Sequence, residues 1–330
     1  MNGSAATVAP SQIARSAFPY WHEVSLAALL AVLFAVSGAL EPRFVQPNVQ
    51  IELAGDLWPV ALIALVMAMI VITGGIDLSV GSITGLCAVL LGLAVEAGVN
   101  VWIAVFISLL AGAGAGLLNG LLIARAHIHP LIVTLATMAG FRGVALALTK
   151  GRTIQGFPDS YGQLVQGSVL GLPLPMWCFL FAAVAVAVFL SRSAYGRFLY
   201  AMGHNEQAAR LSGVPATRIK LALYTLSGLA CGIGAVLLTA RYAQAKADFA
   251  TALELEAITA VVLGGISIFG GRGNIVGLLL GLALVHESNK FISWHWHISE
   301  LNSLVIGGLL IGSVLLNSLL TKNRRNGGGQ

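Results

Sequence analysis

Long apolar runs separated by short polar connections dominate the chain. Ten are read as membrane-spanning, at 22–40, 57–73, 78–98, 101–124, 130–149, 174–191, 217–240, 255–269, 274–292 and 301–320. Most approach the roughly 20 residues that an α-helix needs to cross a hydrocarbon core. The run at 255–269 is the shortest. Backbone in lipid must satisfy its own hydrogen bonds, so these runs predict helices. The pattern predicts an all-α polytopic membrane protein of about ten transmembrane helices, with one broken or tightly turned segment near 73–82. Residues 1–330 read as a single transmembrane domain with no room for a soluble catalytic unit. The first run ends in small residues and follows Arg15, as a secretory signal would, but nine further runs argue that it is retained.

Composition agrees, with 57% hydrophobic and 9% charged residues, against about 25% charged in typical soluble proteins. The formal net charge of +5 would point to nucleic acid in a soluble chain; here it reflects orientation, because cytoplasmic loops are enriched in Lys and Arg. With the N-terminus inside, eleven basic residues fall inside: Arg15, Arg125, Arg192, Arg197, Arg210, Arg218, Lys220, Arg272, Lys322, Arg324 and Arg325. Six fall outside: Arg43, Lys150, Arg152, Arg241, Lys246 and Lys290, with Arg142 inside a span. The tails at 1–21 and 321–330 are therefore expected in the cytoplasm. Cys87, Cys178 and Cys231 each lie in an apolar run, where a lone Cys acts as a small hydrophobe.

Two interruptions resemble each other. The first is VITGGIDLSVGSITG, from Val71 to Gly85, and the second is VVLGGISIFGGRG, from Val261 to Gly273. Gly74 and Gly75 break the second span, and Asp77 is placed to cap the next helix by accepting free N–H groups. Two readings are open: a tight cytoplasmic turn with a cap, or a break that helps form a gate. Paired Gly-broken spans mark the working region of some transporters, which makes Gly74, Gly75, Asp77, Gly264 and Gly265 pathway or gate candidates. Both broken spans run in the same direction, so no inverted repeat follows.

Ionisable residues within membranes are costly and rare. Arg142 and Glu256 sit at similar outer depth, roughly 9 Å from the span end at 1.5 Å per residue. They either pair or reach the interface separately. His286, Glu287 and Asn289 lie near the outer end of the ninth span, before Trp294, His295, Trp296 and His297. The Trp pair reads as an interfacial anchor, and no metal-ligand cluster or cofactor site is read from the His residues. The chain has no phosphate-binding G-x-x-x-x-G-K-[ST] loop, no H-E-x-x-H and no G-x-S-x-G, so it is read as non-catalytic. Any ATP-driven work requires another subunit.

Two connections are long. Lys150 to Pro175 is rich in turn residues and reads as an outer lid, docking surface or solvated connector. Ser191 to Lys220 is cytoplasmic and holds NEQAARLSG, where Asn205 is a candidate N-cap, Glu206 suits the helix start and Gly213 a stop. A short capped helix between two spans reads as a knob presented to another protein.

From about residue 25 to 320 the chain resembles the membrane permeases of ribose-type ABC sugar importers. The resemblance rests on TGGIDLSVGS (Thr73 to Ser82), GHNEQAARLSGV (Gly203 to Val214), LELEAITAVVLGG (Leu253 to Gly265) and GGRG (Gly270 to Gly273). VGSITGLCAVLLG and LYAMGHNEQAARLSGV look closest to the branch carrying autoinducer-2 or rhamnose. The resemblance implies two ten-helix permeases, copies or paralogues, in a bacterial inner membrane. Two ATPase subunits would sit beneath them, and a periplasmic sugar-binding protein would deliver the solute. It also implies that 192–216 is the loop coupling to the ATPase, carried by Gly203, Asn205, Ala208, Ala209, Arg210 and Gly213. The family often has Asp at Glu256, and His204 is unfamiliar in that loop. The implied mechanism is alternating access driven by ATP. The competing class, a proton- or ion-coupled carrier, needs carboxylates near the midplane, and Asp77 is the one acid interrupting apolar sequence away from the outer side.

Overall fold

The computed structural model describes residues 21–297, 301–302, 304–309 and 311–312. Both tails lie outside the described residues, with Arg15, Lys322, Arg324, Arg325 and half of the tenth expected span. Helix α1 (Trp21–Leu40) is followed by a short α2 (Pro47–Leu53) and, after one 3₁₀ turn at Ala54–Asp56, by α3 (Leu57–Ile72). Then come α4 (Val80–Glu96), α5 (Val101–Ala124), α6 (Pro130–Thr149) and α7 (Asp159–Gln166). Strands β1 (Ser168–Val169) and β2 (Leu172–Pro173) pair antiparallel. The chain continues through α8 (Leu174–Arg192), α9 (Ala194–His204), α10 (Glu206–Leu211), α11 (Ala216–Tyr242), α12 (Leu253–Leu263) and α13 (Ile275–Trp296).

Among the described residues, seven helical stretches are long and apolar enough to cross a membrane, the second of them running from Pro47 to Ile72, and α4 is a shorter apolar helix. The expected runs fall on helices, with one clear correction. The eighth stops at Leu263 instead of 269, because Gly265 (φ 85°) turns the chain out of the helix. Helix starts follow local chemistry: the side chains of Asn100, Ser193, Asn205 and Asn274 each accept the N–H of a first-turn residue, supplying partners that the helix cannot.

Helix α3 is apolar all round, and every side chain from Trp58 to Ile72 is buried. Such a helix belongs in the centre of a bundle, and α8, α9, α11, α12 and α13 pack about it. Of α1, only Leu26 and Ser37 are buried, so its apolar surface is left for lipid. The connection between α6 and α8 is more than a tether: Tyr161 of α7 is buried and donates to the Val236 carbonyl of α11 at 2.9 Å, 2.7 Å from the Thr239 hydroxyl.

Helices α5 and α11 run antiparallel at backbone contact. A Cβ added to Gly112 would fall 2.3 Å from the Gly228 carbonyl oxygen, and one added to Gly116 would fall 2.1 Å from that of Tyr224. Small residues allow this approach where lipid supplies no hydrophobic drive for association. The run GAGAG at 112–116 is therefore read one face at a time, since Gly114 between them meets nothing within 4 Å. Gly116→Val should cost more than the roughly 1–3 kcal/mol of ordinary overpacking, because the obstacle is backbone. Gly114→Val should be close to neutral. Thermal melting in detergent checks the pair, and equal melting temperatures would contradict the packing.

Candidate functional site

The first interruption is a packed junction. Gly74, with φ 82°, is exposed at the end of the bundle, yet Asp77 three residues later has no exposure. Its Oδ1 accepts the Ser79 N–H at 3.0 Å and the Ser79 hydroxyl at 2.5 Å. Its Oδ2 accepts the Ser227 hydroxyl of α11 at 2.8 Å. Asn119 of α5 donates to the Ser79 Oγ at 2.8 Å. Asp77 accepts an N–H just before α4, and it does so inside the bundle, tying the break to α11 directly and to α5 through Ser79. Gly75 is pressed close, since a Cβ there would lie 3.0 Å from both the Tyr224 hydroxyl and Ile70 Cγ2.

The second interruption lies against the first. The Gly271 amide donates to the Ile72 carbonyl at 2.8 Å. Gly203, at the end of α9, is wedged between them: a Cβ there would fall 2.0 Å from Ile72 O and 2.2 Å from Gly271 N. Gly264 packs against α13 instead, at Gly277 and Leu278. Sequence reading noticed both interruptions and the loop at Gly203 but not that the three meet. The shared GG letters were the only signal.

The knob at α10 is present, with its polarity partly reversed. Asn205 caps it by accepting the Ala208 N–H at 3.0 Å, and Gly213 ends it at φ 88°. Ala208 is exposed, but Ala209 is buried in its own chain. Arg210 does not reach outward, since its guanidinium donates to Glu206 at 2.8 and 3.2 Å, and Lys220 donates to the same carboxylate at 2.7 Å. The presented apolar residue is Leu211, 91% exposed. Phe269, 85% exposed, stands beside Gly270, which touches Gly203. Burial alone would raise the Glu206 pKa, but the Lys220 and Arg210 hydrogen bonds outweigh it and hold the carboxyl below its ordinary value.

At the opposite end, Arg142 and Glu256 do not pair. Arg142 Nη1 donates to the Ala247 carbonyl at 2.8 Å and the Thr251 hydroxyl at 3.2 Å, on the connection between α11 and α12. Glu256 instead meets Asn289 Nδ2 at 3.5 Å. Equal depth did not place the two side chains on facing surfaces. The hub that sequence reading missed is Asp56, which accepts from Arg241 Nε at 2.6 Å, Tyr242 OH at 2.8 Å and Lys290 Nζ at 2.5 Å. Its signal was an acid immediately before an apolar run. His286 is buried, Glu287 is half-buried, and His295 Nδ1 lies 2.9 Å from Glu41. Among the described residues, no three His, Cys, Asp or Glu side chains are grouped to hold a metal ion.

Residues 50–314 match a family model described as the permease component of branched-chain amino acid transport systems. The Autoinducer 2 import system permease protein LsrD of Escherichia coli (strain K12) is 36% identical over 306 residues, covering 91% of this chain and 93% of that protein. LsrD of Shigella flexneri matches at the same identity and coverage. A solved structure described as a metal-chelate type ABC transporter, in an inward-facing conformation, covers 89% of this chain and 98% of its own. Its TM-score is 0.50 and its identity 16%, so the likeness is one of fold.

Two outcomes follow from this geometry. Asp77→Ala strands three donor bonds and should cost about 3 kcal/mol or more, against about 1 kcal/mol for Ser227→Ala; similar melting of the two variants would show that the carboxylate does not hold the junction. Glu206, with its lowered folded pKa, stabilises α10 fully above the ordinary glutamate value. That contribution is lost as pH falls through the folded one. Hydrogen exchange of the α10 amides, corrected for intrinsic rate, should therefore be faster in Glu206→Gln than in wild type at neutral pH and converge with it in acid.

Proposed function

The chain belongs to the family of transport-system permease components, and from that membership we propose that it is the translocation subunit of an ATP-driven importer for a monosaccharide or sugar-like solute. The 36% identity to an autoinducer 2 import permease across nine-tenths of the chain favours a ribose, rhamnose or autoinducer-2 type of solute. In this reading the chain is a non-catalytic subunit of the bacterial inner membrane with both termini cytoplasmic. It works with a second permease, two ATPase subunits and a periplasmic binding protein, and the ATPase closes on 192–216 to drive alternating access.

The observation that carries the reading is α10: a capped, ion-paired six-residue helix, held out between two spans with Leu211 almost fully exposed. A rigid knob with an exposed apolar tip fits a groove in a soluble partner better than it fits solvent. Gly203 joins that knob to both interruptions, which supports coupling there, with Asn205 and Gly213 shaping the helix and Ala208 leaving room for approach. The buried Asp77 keeps a proton-coupled carrier in view, but its oxygens are already occupied by three donors that fix the backbone.

Leu211→Asp and Ala208→Trp should leave yield and melting unchanged while weakening co-purification with the ATPase about tenfold or more, as loss of an interface anchor does. Uptake into vesicles should require ATP and survive a protonophore. Normal uptake by both variants, or uptake that collapses with the proton gradient while ATP remains, would overturn the assignment.

A further inference from the structure

Helix α8 carries a bare apolar stripe. Phe179, Ala183 and Leu190 make its buried side, while the other side shows Phe181, 78% exposed, with Val184 and Val188 following at helical spacing. On a helix long and apolar enough to cross a membrane, that stripe faces lipid. Trp177 stands one turn before Phe181 on the same face, and its Nε1 donates to the Val169 carbonyl in the hairpin of β1 and β2 at 3.0 Å. The lipid-facing stripe therefore runs on into the hairpin.

The tip of that hairpin is out of keeping with its geometry. Val169 pairs with Leu172, so the turn has two central residues, Leu170 at φ 55° and Gly171 at φ 77°. Positive φ at both is the mark of a type I′ turn, where Asn-Gly is a favoured pair. Leucine is disfavoured here twice, by its bulk in the left-handed region and by an exposure of 86%. Val169 beside it is exposed as well. Contiguous exposed apolar surface marks a site of contact with protein or membrane.

Charge decides which. On α10, Leu211 stands among Glu206, Arg210 and Lys220, the polar rim expected against a soluble partner. From Ser160 to Ser191 the chain has no Asp, Glu, Lys, Arg or His. Glu52 and Arg241 share a cavity of about 250 Å³ with Gln166, Pro173 and Pro175, at the base of the hairpin and not at its tip. An uncharged apolar tip adjoining a Trp and a lipid-facing stripe suits the interfacial zone of a bilayer.

We infer that Val169 and Leu170 insert into the bilayer leaflet at this end of the bundle, making the hairpin a lipid anchor for the connection between α6 and α8. Lipid holds that connection at Leu170, and α11 holds it at Tyr161. Fixed at both points, it is a strut and not a lid. The inference is independent of the transported solute.

The test is power-saturation EPR on the full-length chain in nanodiscs of phosphatidylethanolamine and phosphatidylglycerol, with Cys87, Cys178 and Cys231 replaced by Ala. A nitroxide is placed at Leu170→Cys, with Phe181→Cys as the lipid reference. Both labels should be relaxed more by oxygen, which concentrates in lipid, than by a water-soluble nickel chelate. Because a nitroxide is itself apolar, a label at Ser168→Cys reads the tip without replacing it. Leu170→Asn, which suits the turn, should raise the nickel accessibility of that label severalfold, and Leu170→Met should leave it unchanged. The inference is overturned by a label at Leu170→Cys that nickel relaxes more than oxygen does, or that is shielded from both reagents as beneath a second protein copy. It is overturned equally by a label at Ser168→Cys that does not respond to Leu170→Asn, or that responds as strongly to Leu170→Met.

Discussion

One backbone hydrogen bond, from the Gly271 amide to the Ile72 carbonyl, closes a problem that the rest of the architecture creates. A helix end leaves its last four carbonyls without intrahelical partners, and inside a bundle no bulk water replaces them. For α3 the local chain satisfies three: Thr73 N takes Met69 O and Ile70 O, Gly75 N also takes Ile70 O, and Gly74 N takes Val71 O. Ile72 O alone looks outward, and the second interruption supplies its donor. That solution requires three backbones to approach more closely than side chains permit, which explains Gly203, Gly270 and Gly271 at the contact.

The beginning of α4 is stabilised by the complementary device. Here the surplus is of donors, and Asp77 gathers the Ser79 amide and hydroxyl while Ser227 reaches it from α11. Asn119 then ties Ser79 to α5, the helix that meets α11 at Gly112, Gly116 and Gly228. Polar satisfaction and close glycine packing thus act on the same three helices. The break survives because its neighbours determine it from several sides.

The order and approximate limits of the described spans were legible in the sequence because hydrophobic length is imposed by the bilayer and needs no knowledge of neighbours. The partners of individual polar residues were not legible. Arg142 and Glu256 share a depth, but depth says nothing of azimuth, and Arg142 turns instead to Ala247 and Thr251. Asp56 passed unnoticed for the same reason, because its cations lie 185 and 234 residues away. In α10 the missing step was available: at about 100° per residue, Leu211 stands roughly opposite Ala209. The apolar positions Val214, Ala216 and Ile219 that follow are buried, so the small Ala209 faces inward and Leu211 outward.

Two acids, Asp77 and Asp56, show how differently a bundle can hold a carboxylate. Asp77 meets only neutral donors, each committed to a fixed piece of backbone or a neighbouring helix, so its geometry is saturated and its role is to hold. Asp56 meets two cations and a phenol, and one of those cations, Lys290, keeps hydrogen atoms to spare. Burying an ion pair gives little net stability once desolvation is counted, so the Asp56 cluster is poorly explained as a clamp. What it does achieve is to fix which segments meet, bringing the end of α11 through Arg241 and Tyr242, and α13 through Lys290, onto the turn before α3. A carboxylate closed by hydroxyls and one amide holds a single break in place; one shared by two cations and a phenol selects which distant segments of the chain come together.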